Sequence, residues 1–196
     1  MSIAIYTAIT NGYEADRDDI QVYKGENQFT SPVMEAKIYK VLSHLYTSAD
    51  ISIWVDGNIF PKLTPEEMVE KYLKDADMCV LEHPYRKYLS EELQALRYVQ
   101  RLRTSYKFMA NIGLQDTHYK RTGNPFARLY ECGVIIRRNT EAVRRFNEQW
   151  WAEICRWTER DQLSFAYLMD KNTDIILNTI PGNVRNHQDF TYTKLH

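Results

Sequence analysis

Cysteine is scarce in this sequence: a chain of 196 residues contains three, and none of them stands in a CxxC pair. Cys79, Cys132 and Cys155 are far apart and odd in number, a pattern that indicates neither a disulfide framework nor a zinc site. We therefore expect all three to be reduced, as small apolar side chains of a protein in a reducing compartment.

Long hydrophobic runs are also missing, since no segment approaches the roughly 18 apolar residues that a membrane span needs. Residues 1–7 lack the basic region and the cleavage motif of a secretory signal, and they are typical of a β-strand instead. We therefore expect a cytoplasmic protein without a membrane partner.

The sequence has no excess of basic residues, because 25 lysines and arginines are balanced by 26 aspartates and glutamates, for a net charge of −1. This balance gives no overall support to counterion-driven binding of nucleic acid, although a local basic patch is compatible with it. Repeats, low-complexity tracts and linkers are absent as well. We expect one globular domain that covers residues 1–196.

Aromatic residues, in contrast, are abundant: 14 tyrosines, 7 phenylalanines and 4 tryptophans make up 13% of the chain. The flat faces and polar tips of tyrosine and tryptophan suit the binding of sugars and nucleobases. The same side chains also serve at the edges of cores and in interfaces, which is their commoner use.

Apolar runs alternate along the chain with segments of helical spacing, which predicts an α/β layered sheet. The predicted strands are Ser2–Thr10, Asp18–Tyr23, Ile51–Val55, Met78–Leu81, Glu131–Arg137 and Asp174–Ile180. Helices are predicted to begin near Pro32, Thr64, Ser90, Asn139 and Thr158, and the one at Thr64 has the signature of a capping box. Asp116–Asn124 is predicted to be a loop and a candidate lid, and the residues after Pro181 a polar tail.

Polar residues follow two of the predicted strands at their carboxyl ends, the edge of such a sheet where ligands bind. Asp56-Gly57-Asn58 follows Ile51–Val55, and this triplet is either a plain hairpin turn or part of a site. His83 and Arg86 follow Met78–Leu81. We expect both at the ligand edge, where His83 has either a structural role or a substrate contact.

The Asp-x-Asn triplet suggests a divalent cation, Mn²⁺ or Mg²⁺, at this edge. Asp56 and Asn58 would supply two oxygen ligands from one loop, and His187, after the last predicted strand, would close the set. The alternative is that His187 is a solvated histidine of the tail.

Three basic residues are candidates for contacts with the diphosphate of a nucleotide sugar: Lys37, Lys40 and Arg185. A bound cation and these side chains would together neutralise the diphosphate. Each of them is equally compatible with an exposed surface position.

Motifs in a fixed order resemble a family of GT-A-type glycosyltransferases, long catalogued as a domain of unknown function and represented among plant cell-wall and mucilage proteins. The matching residues are Tyr6-Thr7-Ala8-Ile9, Ala36–Lys40 with His44, Ser52–Asn58, His83–Arg86 with Glu91, Glu131 with Val134–Arg137, Trp150-Trp151 and Arg160–Phe165. Lys37 departs from the family pattern, which has arginine there, and Ser43 stands where proline is expected.

The resemblance implies a single GT-A-like α/β domain, with a mixed sheet flanked by helices, that uses a nucleotide-diphosphate sugar, of the uridine type by preference, as donor. It implies a nucleotide site built from Tyr6, Thr7, Ala8, Lys37, Lys40, Asp56 and Arg185. It makes Asp56 and Asn58 the metal-binding motif, with His187 as the distal ligand.

The resemblance also makes Arg160-Asp161-Gln162 the segment that faces the sugar and the acceptor. An inverting reaction needs a base on the acceptor hydroxyl, for which Asp161 and Glu131 are the candidates. The sequence alone leaves other roles open. Thr158 could cap a helix in which Asp161 only complements the dipole, and Glu131 could form a salt bridge at the rim. A retaining reaction is equally compatible with Asp161 and Gln162.

The function that follows is metal-dependent transfer of a sugar to a hydroxyl group of a glycan or, as a lesser alternative, of a hydroxylated nucleobase in DNA. The alternative of another class is a nucleotide- or sugar-binding module without turnover. It is favoured by Asn58 standing in place of a second carboxylate, because a single charged ligand holds a cation less well.

Overall fold

The computed structural model describes residues 1–10, 17–102 and 111–194. Its centre is a six-stranded sheet formed by β1 (Ile3–Ala8), β2 (Gln21–Tyr23), β3 (Ile51–Val55), β5 (Met78–Glu82), β6 (Tyr130–Arg138) and β7 (Leu177–Ile180). The order of the strands across the sheet is β2-β1-β3-β6-β5-β7. Only β6 runs antiparallel to its neighbours within this sheet. The predicted α/β class with a mixed sheet is therefore confirmed.

Helices connect these strands. They are α1 (Pro32–Val41), α2 (Ser43–Tyr46), α3 (Pro65–Met68), α4 (Leu89–Leu102), α5 (Ile112–Thr122), α6 (Glu141–Arg156) and α7 (Asp161–Met169). A π-helical turn, Val69–Leu73, extends α3, and a short 3₁₀ turn, Val184–Asn186, follows β7. The capping box at Thr64 is present, with both reciprocal hydrogen bonds.

The sheet is buried on both faces. Successive side chains of a strand point to opposite sides, and in the central strands they enter two different core clusters. Trp54 and Ile135 belong to a core cluster that includes residues of α1 and of α4 to α7. Ile53 and Ile136, one position away, belong to a second cluster formed with the π-helical turn and the C-terminal strand. This double burial explains why the central strands are continuous apolar runs rather than alternating ones.

The triplet Asp56–Asn58 forms a turn, in which the amide of Ile59 donates to the carbonyl of Asp56 at 2.9 Å. The strand that follows, β4 (Ile59–Pro61), does not pair with β3. It pairs instead with β8 (Phe190–Tyr192) in a separate two-stranded sheet. The hairpin interpretation is therefore wrong, and so is the prediction of a polar tail after Pro181.

Two further local predictions are wrong. The segment predicted as a loop and lid, Asp116–Asn124, lies mostly within α5. Its polar composition gave no sign that one face of the helix is buried. On that face, Tyr119 stacks on Tyr167 with ring centroids 3.9 Å apart. Thr158 does not cap α7, because its hydroxyl donates to Gln115 Oε1 at 2.9 Å and the helix begins later, at Asp161.

Arg137 is buried in the core on β6, with 1% of its surface exposed. Its guanidinium donates to the carbonyls of Lys40 and Val41 and to the hydroxyls of Tyr6 and Ser52. The two carbonyls belong to the C-terminal end of α1, where a cation also complements the helix dipole. Arg137 therefore fixes the end of the helix that carries Lys37 and Lys40.

We expect Arg137→Met to lower the free energy of unfolding by about 3 kcal/mol, because it leaves buried carbonyls at the end of α1 without a donor. Urea unfolding followed by circular dichroism measures the change. The control is Arg144→Met, on the exposed face of α6, which should cost less than about 0.5 kcal/mol. Equal stability of the two variants would contradict the anchoring role.

Candidate active site

A cleft of about 390 Å³ lies at the sheet edge where the parallel strands end and β6 begins. Ala8 is the last residue of β1 and Thr10 follows that strand, while Trp54 lies in β3 and Asp56 follows it. The other lining residues come from α1, the start of β6, the start of α7 and the turn after β7: Pro32, Val33, Ala36, Lys37, Lys40, Glu131, Cys132, Gly133, Arg160, Asp161, Gln162 and Arg185. The cleft thus unites segments from the whole length of the chain.

Lys40 is the central cation of the cleft, with 7% of its side chain exposed. Its Nζ lies 2.8 Å from Asp161 Oδ2 and 3.2 Å from Asp56 Oδ1, and 5.8 Å from the centroid of the Trp54 ring. Burial alone would lower the pKa of Lys40, but the two carboxylates outweigh it and raise that pKa. Lys40 is therefore a permanent cation that joins α1 to β3 and α7.

Asp161 is buried at the first position of α7, with 9% of its side chain exposed. Its Oδ2 also lies 3.1 Å from Lys37 Nζ, and its Oδ1 accepts from the amide of Gln162 at 3.0 Å. Burial would raise the pKa of Asp161, but Lys37 and Lys40 outweigh it and hold that pKa well below its ordinary value. Asp161 is thus the counter-ion of two lysines and more than a helix cap.

Asp56 stands at the mouth of the cleft, where its Oδ1 accepts from Trp54 Nε1 at 2.8 Å. Its Oδ2 faces Gly133 on β6: a Cβ built there would stand 3.3 Å from this oxygen. The absence of a side chain at Gly133 therefore keeps space beside Oδ2. Sequence reasoning missed the parts that Trp54 and Gly133 play, because only the β3–β6 register brings Gly133 beside the triplet.

Glu131 and Arg185, which both line the cleft, form an ion pair with Arg185 Nη1 3.2 Å from Glu131 Oε1. Asn183 Oδ1 also accepts from this guanidinium group, at 3.3 Å. Burial raises the pKa of Glu131, a shift that Arg185 reduces and Asp56 reinforces. The two candidate carboxylates of the cleft therefore differ, since the pKa of Glu131 is raised and that of Asp161 is lowered.

Arg160 is held at the entrance to the cleft by Glu92, which has 1% of its side chain exposed. Glu92 Oε1 lies 2.9 Å from Arg160 Nη2, and its Oε2 lies 2.8 Å from Arg86 Nη1. Sequence reasoning missed Glu92, and the only local signal was a glutamate pair at the start of α4. A buried carboxylate between two arginines thus sets the position of both.

The predicted nucleotide-binding residues near the N-terminus are not all in the cleft. Ala8 lines it. Tyr6 is a core residue whose hydroxyl donates to the carbonyl of Tyr39 at 3.1 Å, and Thr7 is fully buried. Gln162 does line the cleft, and its buried Oε1 has no hydrogen-bond partner in the part of the chain that the structure describes.

The fold does not bring the three predicted metal ligands together in the cleft. Asp56 lines the cleft, whereas Asn58 and His187 do not. The carbonyl of Asn58 accepts from the amide of Thr193, and His187 packs against Phe190 while its Nδ1 accepts from the amide of Asp189. Across residues 1–10, 17–102 and 111–194, no three His, Cys, Asp or Glu side chains are grouped to hold a metal.

The residues of the cleft nevertheless fit a cation whose shell is completed by the substrate. Mg²⁺-type cations keep several waters and take one or two protein carboxylates together with phosphate oxygens. Asp56 Oδ2 accepts no hydrogen bond from the described residues and faces the space at Gly133. Asp56 Oδ2 would be the protein ligand of such a cation, and phosphate oxygens of the substrate and waters would complete the shell.

The mixed six-stranded sheet flanked by helices is consistent with a GT-A-like α/β domain. The family model described as "TOD1/MUCI70, glycosyltransferase-like domain" matches residues 20–192. The chain belongs to this family, which confirms the resemblance carried by its motifs.

Two relatives from Arabidopsis thaliana are each 28% identical to the chain. "Alkaline ceramidase TOD1" aligns over 160 residues, 77% of this chain and 34% of the relative. "Probable hexosyltransferase MUCI70" aligns over 147 residues, 69% of this chain and 24% of the relative. The chain thus spans about a third of the length of the first relative and about a quarter of the length of the second.

Throughout the described ranges, no helix has both the length and the apolar composition needed to cross a bilayer.

We expect Asp161→Asn to lower the free energy of unfolding at pH 7 by about 3 kcal/mol, because it leaves two buried lysines without their shared counter-ion. The folded-state pKa of Asp161 is lowered, so its stabilisation is present above the unfolded pKa of about 4 and is lost as the pH falls towards the folded pKa. The difference from the wild type should therefore shrink between pH 7 and pH 3.

Urea unfolding at both pH values measures this difference. The control is Asp174→Asn, whose carboxylate pairs with Arg145 at the surface and should contribute less than about 1 kcal/mol. A stability difference for Asp161→Asn that does not change with pH would show that Asp161 is not held ionised by the lysines.

Proposed function

We propose that this chain is a glycosyltransferase domain that binds a nucleotide-diphosphate sugar in the cleft and transfers the sugar to a hydroxyl group. The observation that carries the proposal is the convergence of Lys37, Lys40, Arg160 and Arg185 on one cleft at the carboxyl edge of the sheet. Cationic side chains that surround a leaving diphosphate stabilise the charge that develops there. Family membership supports the same reaction class.

The charge of the cleft supports a divalent cation, Mn²⁺ or Mg²⁺, as part of this site. Four cationic side chains line it together with three carboxylates, Asp56, Glu131 and Asp161, which leaves one net positive charge. A diphosphate carries a negative charge on each phosphate, so the side chains alone do not balance it. A cation held at Asp56 would supply the missing charge by binding phosphate oxygens.

The transfer joins an acceptor oxygen to the anomeric carbon of the sugar, while the bond from that carbon to the diphosphate breaks and the diphosphate keeps the electron pair. In an inverting reaction, a base takes the proton of the acceptor hydroxyl. Glu131 is better suited to this step than Asp161, because its pKa is raised whereas that of Asp161 is lowered. Asp161 then serves to hold the lysines in place.

The relatives' names support different substrates. The name of the probable hexosyltransferase supports a hexose as the transferred group. Uridine as the nucleotide, and a glycan or a hydroxylated base in DNA as the acceptor, are part of the proposal that no relative's name supports. A ceramidase acts on a lipid, which calls for an apolar channel, whereas this cleft is lined mainly by charged and polar side chains. Glycosyl transfer is therefore the better supported activity.

The free thiols, including the exposed Cys155, suit a cytoplasmic location.

A second candidate is a nucleotide-sugar-binding module without turnover. It is favoured by the pairing of both candidate bases, Glu131 with Arg185 and Asp161 with two lysines. Binding of the donor would be similar in both cases. Measurable hydrolysis or transfer of the donor sugar in the presence of Mn²⁺ distinguishes the enzyme from the module.

We expect uridine diphosphate to raise the melting temperature of the wild type strongly with Mn²⁺ and weakly after chelation. A ligand at 100 times its Kd adds about 2.7 kcal/mol of stability. Asp56→Asn should lose most of the Mn²⁺-dependent part, because it removes the carboxylate charge. Thermal-shift titrations measure the effect, with Asp174→Asn as the control. Equal binding with and without Mn²⁺ would remove the cation from the proposal.

We expect Glu131→Gln to bind uridine diphosphate and Mn²⁺ normally but to turn over the donor sugar about a hundredfold more slowly, a loss of about 2.7 kcal/mol in transition-state stabilisation. The wild-type rate should fall on acidification through the raised pKa of Glu131, since the base must be unprotonated. Donor hydrolysis across a pH series measures both effects. The control is Glu148→Gln, on the exposed surface of α6. Normal turnover by Glu131→Gln would return Glu131 to a purely structural ion pair.

A further inference from the structure

A second concavity, of about 240 Å³, lies at the carboxyl end of β5. We call it the Tyr85 shelf, and it is lined by Glu82, His83, Tyr85, Arg86, Lys87, Arg128 and Leu129. Its volume is somewhat below the range of roughly 300–1,000 Å³ that is usual for drug-sized ligands. The shelf therefore suits a single ring-sized group.

The ring of Tyr85 is the most prominent feature of the shelf, because 70% of the residue is exposed. The ring is held at both ends. The hydroxyl accepts a hydrogen bond from Asn183 Nδ2 at 3.2 Å, and the His83 ring packs edge-on, with centroids 6.4 Å apart. A fixed aromatic face that is open to solvent can bind the C–H groups of a sugar ring, because the face carries the negative part of the ring quadrupole.

His83 presents a hydrogen-bond donor in the same shelf. Its Nδ1 accepts from the backbone amides of Arg86 and Tyr85, at 2.9 and 3.3 Å. Nδ1 therefore has no proton, and in the neutral ring the proton is on Nε2. Burial lowers the pKa of His83, Glu92 raises it in part, and three nearby arginines lower it again, so that the pKa lies below its ordinary value. His83 thus offers an uncharged Nε2–H.

The two arginines of the shelf are paired with carboxylates. Arg86 pairs with Glu92 at 2.8 Å, and Arg128 pairs with Glu82 at 2.6 Å. The ammonium group of Lys87 lies over the Tyr88 ring, 5.2 Å from its centroid. Because both arginines are engaged, we expect a ligand to contact chiefly the exposed ring of Tyr85 and the imidazole of His83, which suits a hydroxyl-rich ring.

Two short connections join the shelf to the cleft. Asn183 donates to the Tyr85 hydroxyl and accepts from Arg185, which lines the cleft. Glu92 pairs both with Arg86 on the shelf and with Arg160 at the cleft entrance. Because each connection is a single side chain, a ligand on the shelf lies beside the group that the cleft binds.

We propose that the Tyr85 shelf is the acceptor subsite, where a neutral sugar ring of a carbohydrate acceptor stacks on Tyr85 and accepts a hydrogen bond from His83 Nε2. The inference rests on the proposed function, because it places the acceptor beside the donor cleft. It commits the acceptor to a carbohydrate rather than to a base in DNA.

Saturation-transfer NMR tests the subsite with methyl glycosides of the common neutral hexoses and pentoses, added to the protein with uridine diphosphate and Mn²⁺. We expect at least one glycoside to bind through its C–H face. Tyr85→Ala should weaken this binding at least tenfold, whereas Tyr85→Phe, which keeps the ring, should retain most of it. Binding that survives in Tyr85→Ala, or no binding of any glycoside to the wild type, would overturn the proposal.

Two substitutions of His83 separate the role of its Nε2–H, which donates a hydrogen bond to the ligand, from that of its Nδ1, which accepts hydrogen bonds from the backbone. Asn places an amide near the position of Nδ1 and can keep the backbone contacts, whereas Gln places one near Nε2 and can keep the donor. We expect His83→Asn to fold normally and lose glycoside binding, and His83→Gln to retain part of it. Equal glycoside affinity in His83→Asn and the wild type would remove His83 from the subsite.

The thermal-shift response to uridine diphosphate with Mn²⁺ is measured in parallel, and it should be the same in the Tyr85 and His83 variants as in the wild type. Absence of that response in the wild type would refute the donor site and hence the proposed function. A normal response without glycoside binding would refute the acceptor subsite alone. Binding of duplex DNA in place of every glycoside would assign the acceptor to nucleic acid and overturn the inference.

Discussion

The cleft depends on the buried contact between Lys40 and Asp161, which lies where α1, β3 and α7 meet. Each charge would be costly to bury alone, so neither helix can hold its side chain in place without the other. Asp56 shares the same ammonium group and thereby ties the loop after β3 to both helices. The residues that would bind a diphosphate are thus positioned by the residues that hold the tertiary structure together.

Arg137 extends this coupling of stability and site into the core. Arg137 donates hydrogen bonds to the last carbonyls of α1 and to the hydroxyl of Tyr6, a residue that the resemblance had assigned to the nucleotide site. Tyr6 therefore matches the family pattern while lying in the core, behind the helix that lines the cleft. A motif residue can affect binding through the position of a helix without touching the ligand.

The sequence predicted the six strands of the central sheet and most helices, because long apolar runs and the Thr64 capping box are local signals. It also placed Asp56, Lys37, Lys40, Glu131, Asp161, Gln162 and Arg185, which all line the cleft. It failed where partners are distant in the chain. The loop interpretation of Asp116–Asn124 missed a helix whose buried face is polar and aromatic, and nothing near Glu92 indicated two arginine partners. The β4–β8 pairing, which carries Asn58 away from the cleft, has no local signature either.

The exposed groups divide the region into two chemically different halves. In the cleft, four cationic side chains line the space, and the carboxylate that binds two lysines is left a poor base. On the Tyr85 shelf, both arginines have carboxylate partners, and an aromatic face and an imidazole are offered to a ligand. A transferase that joins an anionic donor to a hydroxyl-bearing acceptor needs two such surfaces, cationic side chains for the diphosphate and an aromatic face for the sugar ring. Glu92 and Asn183, each bonded to both halves, keep the two surfaces in a fixed relation.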